Sequence, residues 1–125
     1  MKLEKLFDIN CSSQEFNESP QLVREGQNMI LKYDYEKETG EYGWNGITFQ
    51  DVVTCKITKM VCEELYIIQA YDSVAIVRES DWIKDVAKSY KGSDLNSFNH
   101  YAIHFEDYGS YEFIAKSTHD GIILH

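Results

Sequence analysis

His100-Tyr101-Ala102-Ile103-His104-Phe105-Glu106-Asp107-Tyr108-Gly109-Ser110-Tyr111-Glu112-Phe113-Ile114-Ala115-Lys116 is the stretch that decides the fold class. Tyr101, Ile103 and Phe105 alternate with Ala102 and His104. After Asp107-Tyr108-Gly109, Tyr111, Phe113 and Ala115 alternate with Glu112, Ile114 and Lys116. Successive side chains of a strand point to opposite faces, so this period of two spells a hairpin with one apolar face. A two-residue loop would pair Phe105 with Ser110 and set Glu112 opposite Ile103, mixing the faces. A three-residue loop with Gly109 left-handed pairs Phe105 with Tyr111, Ile103 with Phe113 and Tyr101 with Ala115, and keeps the large apolar groups together. That register puts His104 across from Glu112 on the outer face.

Upstream of the hairpin lies the clearest helix, about residues 81–90. Ser80 is its N-cap, Asp81 sits at the positive end of the dipole, and Gly92 closes it. Trp82, Ile83, Val86, Ala87 and Tyr90 form one stripe at helical spacing, so Trp82 is expected in the core. Before the helix, Leu65 to Val77 reads as a strand broken by a kink at Tyr71-Asp72-Ser73. Ile47 to Lys59 is rich in β-formers, and its alternation slips at Asp51-Val52-Val53, which suggests a bulge. Met29, Leu31, Tyr33 and Tyr35 alternate with polar residues as a half-buried strand. Lys37 to Gly46 is polar and glycine-rich, a hairpin loop carrying Glu38, Glu41, Tyr42 and Trp44. Residues 1–25 read as short helical turns, from the Ser12/Glu15 capping-box spacing and from Ser19-Pro20 as a helix opening. Ile122-Ile123-Leu124 is either a last strand or an edge cover.

The chain has 125 residues, 12 basic against 21 acidic for a net charge of −9, and 9 Tyr, 6 Phe and 2 Trp. That aromatic content excludes a disordered acidic chain, and the length is enough for one core. An acidic surface argues against a nucleic-acid binder, which needs a basic footprint. No apolar window is long enough to span a bilayer. The charged opening Met1-Lys2-Leu3-Glu4-Lys5 does not suit a signal peptide, and Cys11, Cys55 and Cys62 are an odd set with no C-x-x-C. The expectation is a cytoplasmic protein with free thiols.

Several constellations carry chemistry, each beside a blander reading. His104 with Glu112 suggests a general base or half a metal site. As a solvated cross-strand pair it is worth only about 0.2–1 kcal/mol. His100 and His104 stand about 13 Å apart along one strand, which rejects a zinc site from those two. Asp72 is either a charge at a cleft rim or a carboxylate capping local amides. Tyr42 and Trp44 are either partner-binding anchors or aromatics folded over the core. Glu36, Glu38, Glu41, Glu63, Glu64, Glu79, Asp81, Glu106 and Asp107 cluster near expected strand ends, as a solvated rim or a steering surface. No P-loop, G-x-G-x-x-G, G-x-S-x-G, H-E-x-x-H or EF-hand pattern occurs.

The strings Ile47-Thr48-Phe49-Gln50-Asp51-Val52, Tyr71-Asp72-Ser73-Val74, Glu79-Ser80-Asp81-Trp82-Ile83, His100-Tyr101-Ala102-Ile103-His104-Phe105 and Gly109-Ser110-Tyr111-Glu112-Phe113-Ile114-Ala115 resemble small acidic bacterial proteins, some of them associated with toxin–immunity gene neighbourhoods. The resemblance spans residues 29–117 and assigns no catalytic residue.

The expectation is therefore one α+β domain over residues 1–125. It has a twisted antiparallel sheet of five to seven strands, one main helix and a short N-terminal helical segment. The expected function is a non-catalytic protein-binding module, in its most concrete form an immunity-type inhibitor of a basic toxin domain. The binding residues are Trp44, Tyr42, Glu38, Glu41, Asp72, His104 and Glu112. No cofactor, metal, nucleic acid or membrane is assigned. The alternatives are a small-molecule binder or enzyme with a cleft near Tyr71 and Asp72, and a homo-oligomer joined through an open sheet edge.

Overall fold

The computed structural model describes residues 2–59, 66–92 and 94–122. Cys62, Glu63, Glu64, the expected strand start at Leu65, and Ile123 and Leu124 lie outside the described residues. In chain order the described elements are β1 (Lys2–Asp8), β2 (Gln21–Glu25), β3 (Asn28–Glu36), β4 (Tyr42–Gln50), β5 (Thr54–Thr58), β6 (Ser73–Arg78), α1 (Asp81–Ala87), β7 (Asn99–Phe105), β8 (Gly109–Ala115) and β9 (Ser117–Asp120). Short 3-10 turns run over Ser13–Glu15 and Ile67–Ala70.

The strands form two antiparallel sheets and not one. The first has the order β1-β6-β7-β8-β5 and the second β2-β3-β4-β9. The apolar faces spelled by period two meet between them. Leu31, Tyr33, Ile47 and Phe49 of the second sheet pack on Val74, Tyr101, Ile103, Phe105 and Phe113 of the first. Phe49 and Phe113 stack at 3.8 Å between ring centroids, and Tyr33 meets Phe105 edge-on at 6.1 Å. Each buried aromatic pair adds about 0.5–1.5 kcal/mol to the burial of its area.

The slip at Asp51-Val52-Val53 is where the chain changes sheets. Asp51 takes a left-handed φ of +52°, Val52 N–H donates to Gln27 O beside the second sheet, and Val53 N–H donates to Ile114 O in the first. A bulge and a sheet-to-sheet corner break alternation alike, so the sequence alone does not separate them.

The N-terminal segment is extended where helical turns were expected. β1 pairs with β6 in the register Lys2↔Arg78 to Asp8↔Ser73, with a bulge between Lys5 and Phe7. β2 follows Pro20 directly, and a proline suits the start of an edge strand as well as a helix. The Ser12 cap is real but short: its hydroxyl accepts Gln14 N–H at the head of a three-residue 3-10 turn. Ile67–Ala70 is likewise a 3-10 turn, in place of the first half of an expected strand.

α1 ends at Ala87, earlier than the expected 90, and none of its residues is fully buried. Trp82 is half-buried rather than core. It stands edge-on to the His100 ring at 4.9 Å.

The hairpin keeps its three-residue loop, and Gly109 has φ +90°. The loop is Glu106-Asp107-Tyr108, one step earlier than expected, and Gly109 pairs with Phe105 as the first residue of β8. All pairings shift by two residues: Ile103 meets Tyr111 and Tyr101 meets Phe113. A shift of two preserves the faces and changes every partner. His104 therefore faces Ser110, and Glu112 faces Ala102, so the expected His104–Glu112 pair does not form.

Candidate functional site

The second face of the first sheet, read from sequence as solvated, is buried. His100, His104, Ser110 and Glu112 are all below 5% exposed. Ile67 of the 3-10 turn packs on Ala102 and Val77 there, and α1 lies against β7. Buried polar groups need partners, and His100 has two. Its Nδ1 lies 2.6 Å from Ser80 Oγ and its Nε2 lies 2.8 Å from Glu112 Oε1. Ser80 Oγ also accepts Ile83 N–H at 3.2 Å as the cap of α1. A carboxylate only accepts, so the hydrogen of the neutral ring sits on Nε2 and is donated to Glu112, and Nδ1 accepts the Ser80 hydroxyl proton. Lys56 Nζ stands 3.7 Å from Glu112 Oε2 and 4.5 Å from the Trp82 ring centroid.

Ser80, His100 and Glu112 have the composition of a nucleophilic triad, but the arrangement is closed. The serine oxygen is engaged by a cap hydrogen bond, the residue is 6% exposed, and the histidine side chain is sealed. A nucleophile needs a lone pair aimed at a substrate. The chain of bonds instead ties α1 to β7 and β8. Sequence reasoning read Ser80 only as a cap. The signal for the rest was the placement of His100 and Glu112 on one face of adjacent strands.

Asp72 is a backbone anchor. It takes φ +50°, its Oδ2 accepts Ser13 N–H at 3.0 Å, its N–H donates to His104 O, and its O accepts Ile9 N–H. Beside it Tyr71 O–H donates to Glu106 Oε2 at 2.5 Å, and Gln14 Nε2 donates to the same oxygen at 2.6 Å. These donors hold the Glu106 carboxyl below its ordinary range, and the hydrogen bond to that carboxylate pushes the Tyr71 phenol up. Cys11 lies near this corner. Burial first, then the Asp72, Glu15 and Asp34 carboxylates, push its thiol up to about 11, which leaves it an inert group.

Tyr42, Trp44, Glu38 and Glu41 come together at the far end of the β3–β4 hairpin. Tyr42 and Trp44 belong to strand β4, whereas the loop is only residues 37–41. Trp44 is 38% and Tyr42 45% exposed. They alternate with Gly43 and Asn45, on the opposite face to Ile47 and Phe49. Their cross-strand neighbours are acidic: Asp34 opposite Trp44 and Glu36 opposite Tyr42. Asp34 is buried and accepts Asn17 and Glu18 N–H, both at 2.9 Å, which fixes the strand beside the tryptophan. Glu38 and Glu41 are exposed beside this face. His104 and Glu112 lie in the first sheet and Asp72 in the turn that precedes β6, and none of the three joins this cluster.

Sequence reasoning missed a groove at the sheet-crossing corner. A cavity of about 490 Å³ is lined by Asp51, Val52, Val53, Tyr90, Phe98 and Lys116. An adjoining one of about 360 Å³ shares Val52 and Val53 and reaches Arg24. Neither is lined by Ser80, His100 or Glu112. Among the described residues no group of three or more His, Cys, Asp or Glu is placed to hold a metal ion, and no helix is long and apolar enough to cross a membrane. No protein-family model, curated protein or solved structure matches the chain.

Proposed function

We propose that this chain is a non-catalytic protein-binding module that takes a basic partner on the outer face of β3 and β4. The observation that carries this reading is the exposure of Tyr42 and Trp44 side by side on a strand, ringed by Glu36, Glu38 and Glu41. Exposed aromatics on a rigid strand lose little side-chain freedom on docking, and Trp and Tyr are enriched among residues that dominate binding energy. The acidic ring steers a cationic surface toward them. A basic toxin domain is the form of partner that the resemblance to acidic proteins of toxin–immunity neighbourhoods suggests. A catalytic role finds no support at Ser80, whose oxygen is occupied by the helix cap, or at Asp72, whose carboxylate serves the backbone. The test is affinity capture of the products of genes adjacent to this one, with wild type and Trp44→Ala side by side. A basic protein retained by wild type and lost with Trp44→Ala supports the reading. Capture that survives Trp44→Ala, or no capture at low salt, overturns it.

A further inference from the structure

The groove at the sheet-crossing corner is unlike the rest of the surface. The chain carries −9 overall, yet the groove is lined by Arg24 and Lys116 against the single carboxylate of Asp51. Of the 12 basic residues, Lys5, Lys56, Arg78 and Lys88 have a carboxylate partner among the described residues. Among the described residues neither Lys116 nor Arg24 has such a partner. Lys116 Nζ lies over the Phe98 ring at 5.6 Å, and Arg24 Nε donates to Gly26 O. The Lys116 backbone is fixed, since its N–H donates to Gln50 O at 2.9 Å. Phe98 in turn stands edge-on to Tyr90 at 6.2 Å, so the cavity has an aromatic wall beside an ammonium. Val52 and Val53 form an apolar floor, and the hydrogen bonds of both their amides hold that floor in place. A cavity of this size suits a small organic ligand, and such sites pair an apolar lining with a few placed polar groups.

We propose that this groove is a binding site for a small aromatic carboxylate. The flat ring lies against Phe98 and Tyr90 over the Val52–Val53 floor, and its carboxylate meets Lys116. Ring-on-ring contact supplies the apolar part, and the charge-assisted hydrogen bond to the ammonium supplies the orientation. A cationic ligand is disfavoured by Lys116 and Arg24 together. The groove shares no lining residue with the Tyr42–Trp44 face, so this site stands or falls independently of the protein partner.

The experiment uses 2-naphthoate, its uncharged amide and 2-naphthylmethylammonium as probes, read by amide chemical shifts of the full chain. The expected result is saturable shifts at Val52, Val53, Phe98 and Lys116 with naphthoate. Affinity should be at least about tenfold weaker for the amide, and weaker by a similar factor for naphthoate on Lys116→Ala. Phe98→Tyr keeps the ring and should bind as wild type, which separates lost recognition from lost folding if Phe98→Ala unfolds. Equal binding of all three probes would reduce the groove to an unselective apolar patch and overturn the proposal. So would shifts that map elsewhere, or no shifts up to about 5 mM naphthoate.

Discussion

His100 Nε2 and Glu112 Oε1 lie 2.8 Å apart in a place that water does not reach, on adjacent strands of the five-stranded sheet. Removing the carboxylate leaves the His100 N–H buried and unpaired, at a cost of about 1–3 kcal/mol. Glu112→Ala should reach that range in urea unfolding, because Lys56 then loses its carboxylate as well. Glu112→Gln retains an oxygen at the position that accepts from Nε2 and should lose distinctly less. Ser80→Ala removes the helix cap and the bond to Nδ1, and should cost about 1–2 kcal/mol. Equal losses for the Ala and Gln variants at 112 would show that the carboxylate charge, and not the hydrogen bond from Nε2, sets the stability there.

Gly109 answers to two constraints. Its φ of +90° is strained for any residue with a Cβ, and a Cβ built there would lie 2.1 Å from Thr58 O, a backbone atom of β5. Gly109→Ala should therefore destabilise by about 2–4 kcal/mol, combining strain with overpacking. Gly40 has a similar φ of +86° but open space around it, so Gly40→Ala isolates the strain alone and should cost about 1 kcal/mol. Similar midpoints for the two variants would show that β5 moves aside freely.

The same glycine explains what was legible in the sequence. The parity of the β7–β8 register follows from the pattern of large apolar residues, and those faces are the observed ones. The cross-strand partner depends on which residue closes the loop, and there Asp107 takes the left-handed position inside the loop, at φ +68°. Aspartate adopts that conformation more readily than most residues, so Gly109 was free to begin β8. That two-residue shift separated His104 from Glu112. The strand character of Lys2–Asp8 was not legible for a different reason. Its pairing partners lie some 65 to 76 residues away, from Ser73 to Arg78, and local propensity carries no record of them. Tyr42 and Trp44 were legible as exposed aromatics. The groove was not, because its walls come from four separate stretches of chain.

Cys11 should be a slow thiol. Its value rises from 9.0 to about 11, so at pH 8 the thiolate fraction falls about 100-fold. Peptide-resolved alkylation with iodoacetamide should label Cys11 in the native protein slower than in urea, by roughly one to two orders of magnitude because the more basic thiolate is also more nucleophilic. Labelling at the unfolded rate would mean that the corner around Ser13 and Asp72 opens readily.

The protein should also lose stability on the alkaline side. Cys11, Tyr33 and Tyr111 all have raised values, chiefly from burial. The folded state then holds these protons more tightly than the unfolded one. The associated stability is fully present below the unfolded values and is lost as pH climbs through the folded ones. For Cys11 that window runs from 9.0 to about 11, and the tyrosines extend it upward. Melting temperatures should hold steady from pH 7 to about 9 and fall beyond it. A midpoint that rises between pH 9 and 11 would contradict the sign of all three shifts.

Binding to a basic partner should separate into two signatures on the β3–β4 face. Glu38 and Glu41 are exposed loop charges, and charges of that kind act on the encounter before contact. Glu38→Gln with Glu41→Gln should slow association while leaving dissociation and the melting temperature nearly unchanged. Raising salt should have the same effect on wild type, since exposed charges are screened beyond about 8–10 Å near physiological ionic strength. The double variant should respond less steeply to salt, because part of the steering field is already gone. Trp44 belongs to the docked state. Trp44→Ala should speed dissociation at least about tenfold, the effect of losing an anchor worth roughly 2 kcal/mol, with association little changed. Asp34 lies across from it on β3 and accepts two backbone N–H groups, so the neighbouring strand keeps its place when the indole is removed. A salt-independent association rate would reduce the acidic ring to a solvated rim. An unchanged dissociation rate with Trp44→Ala would move the contact surface away from β4.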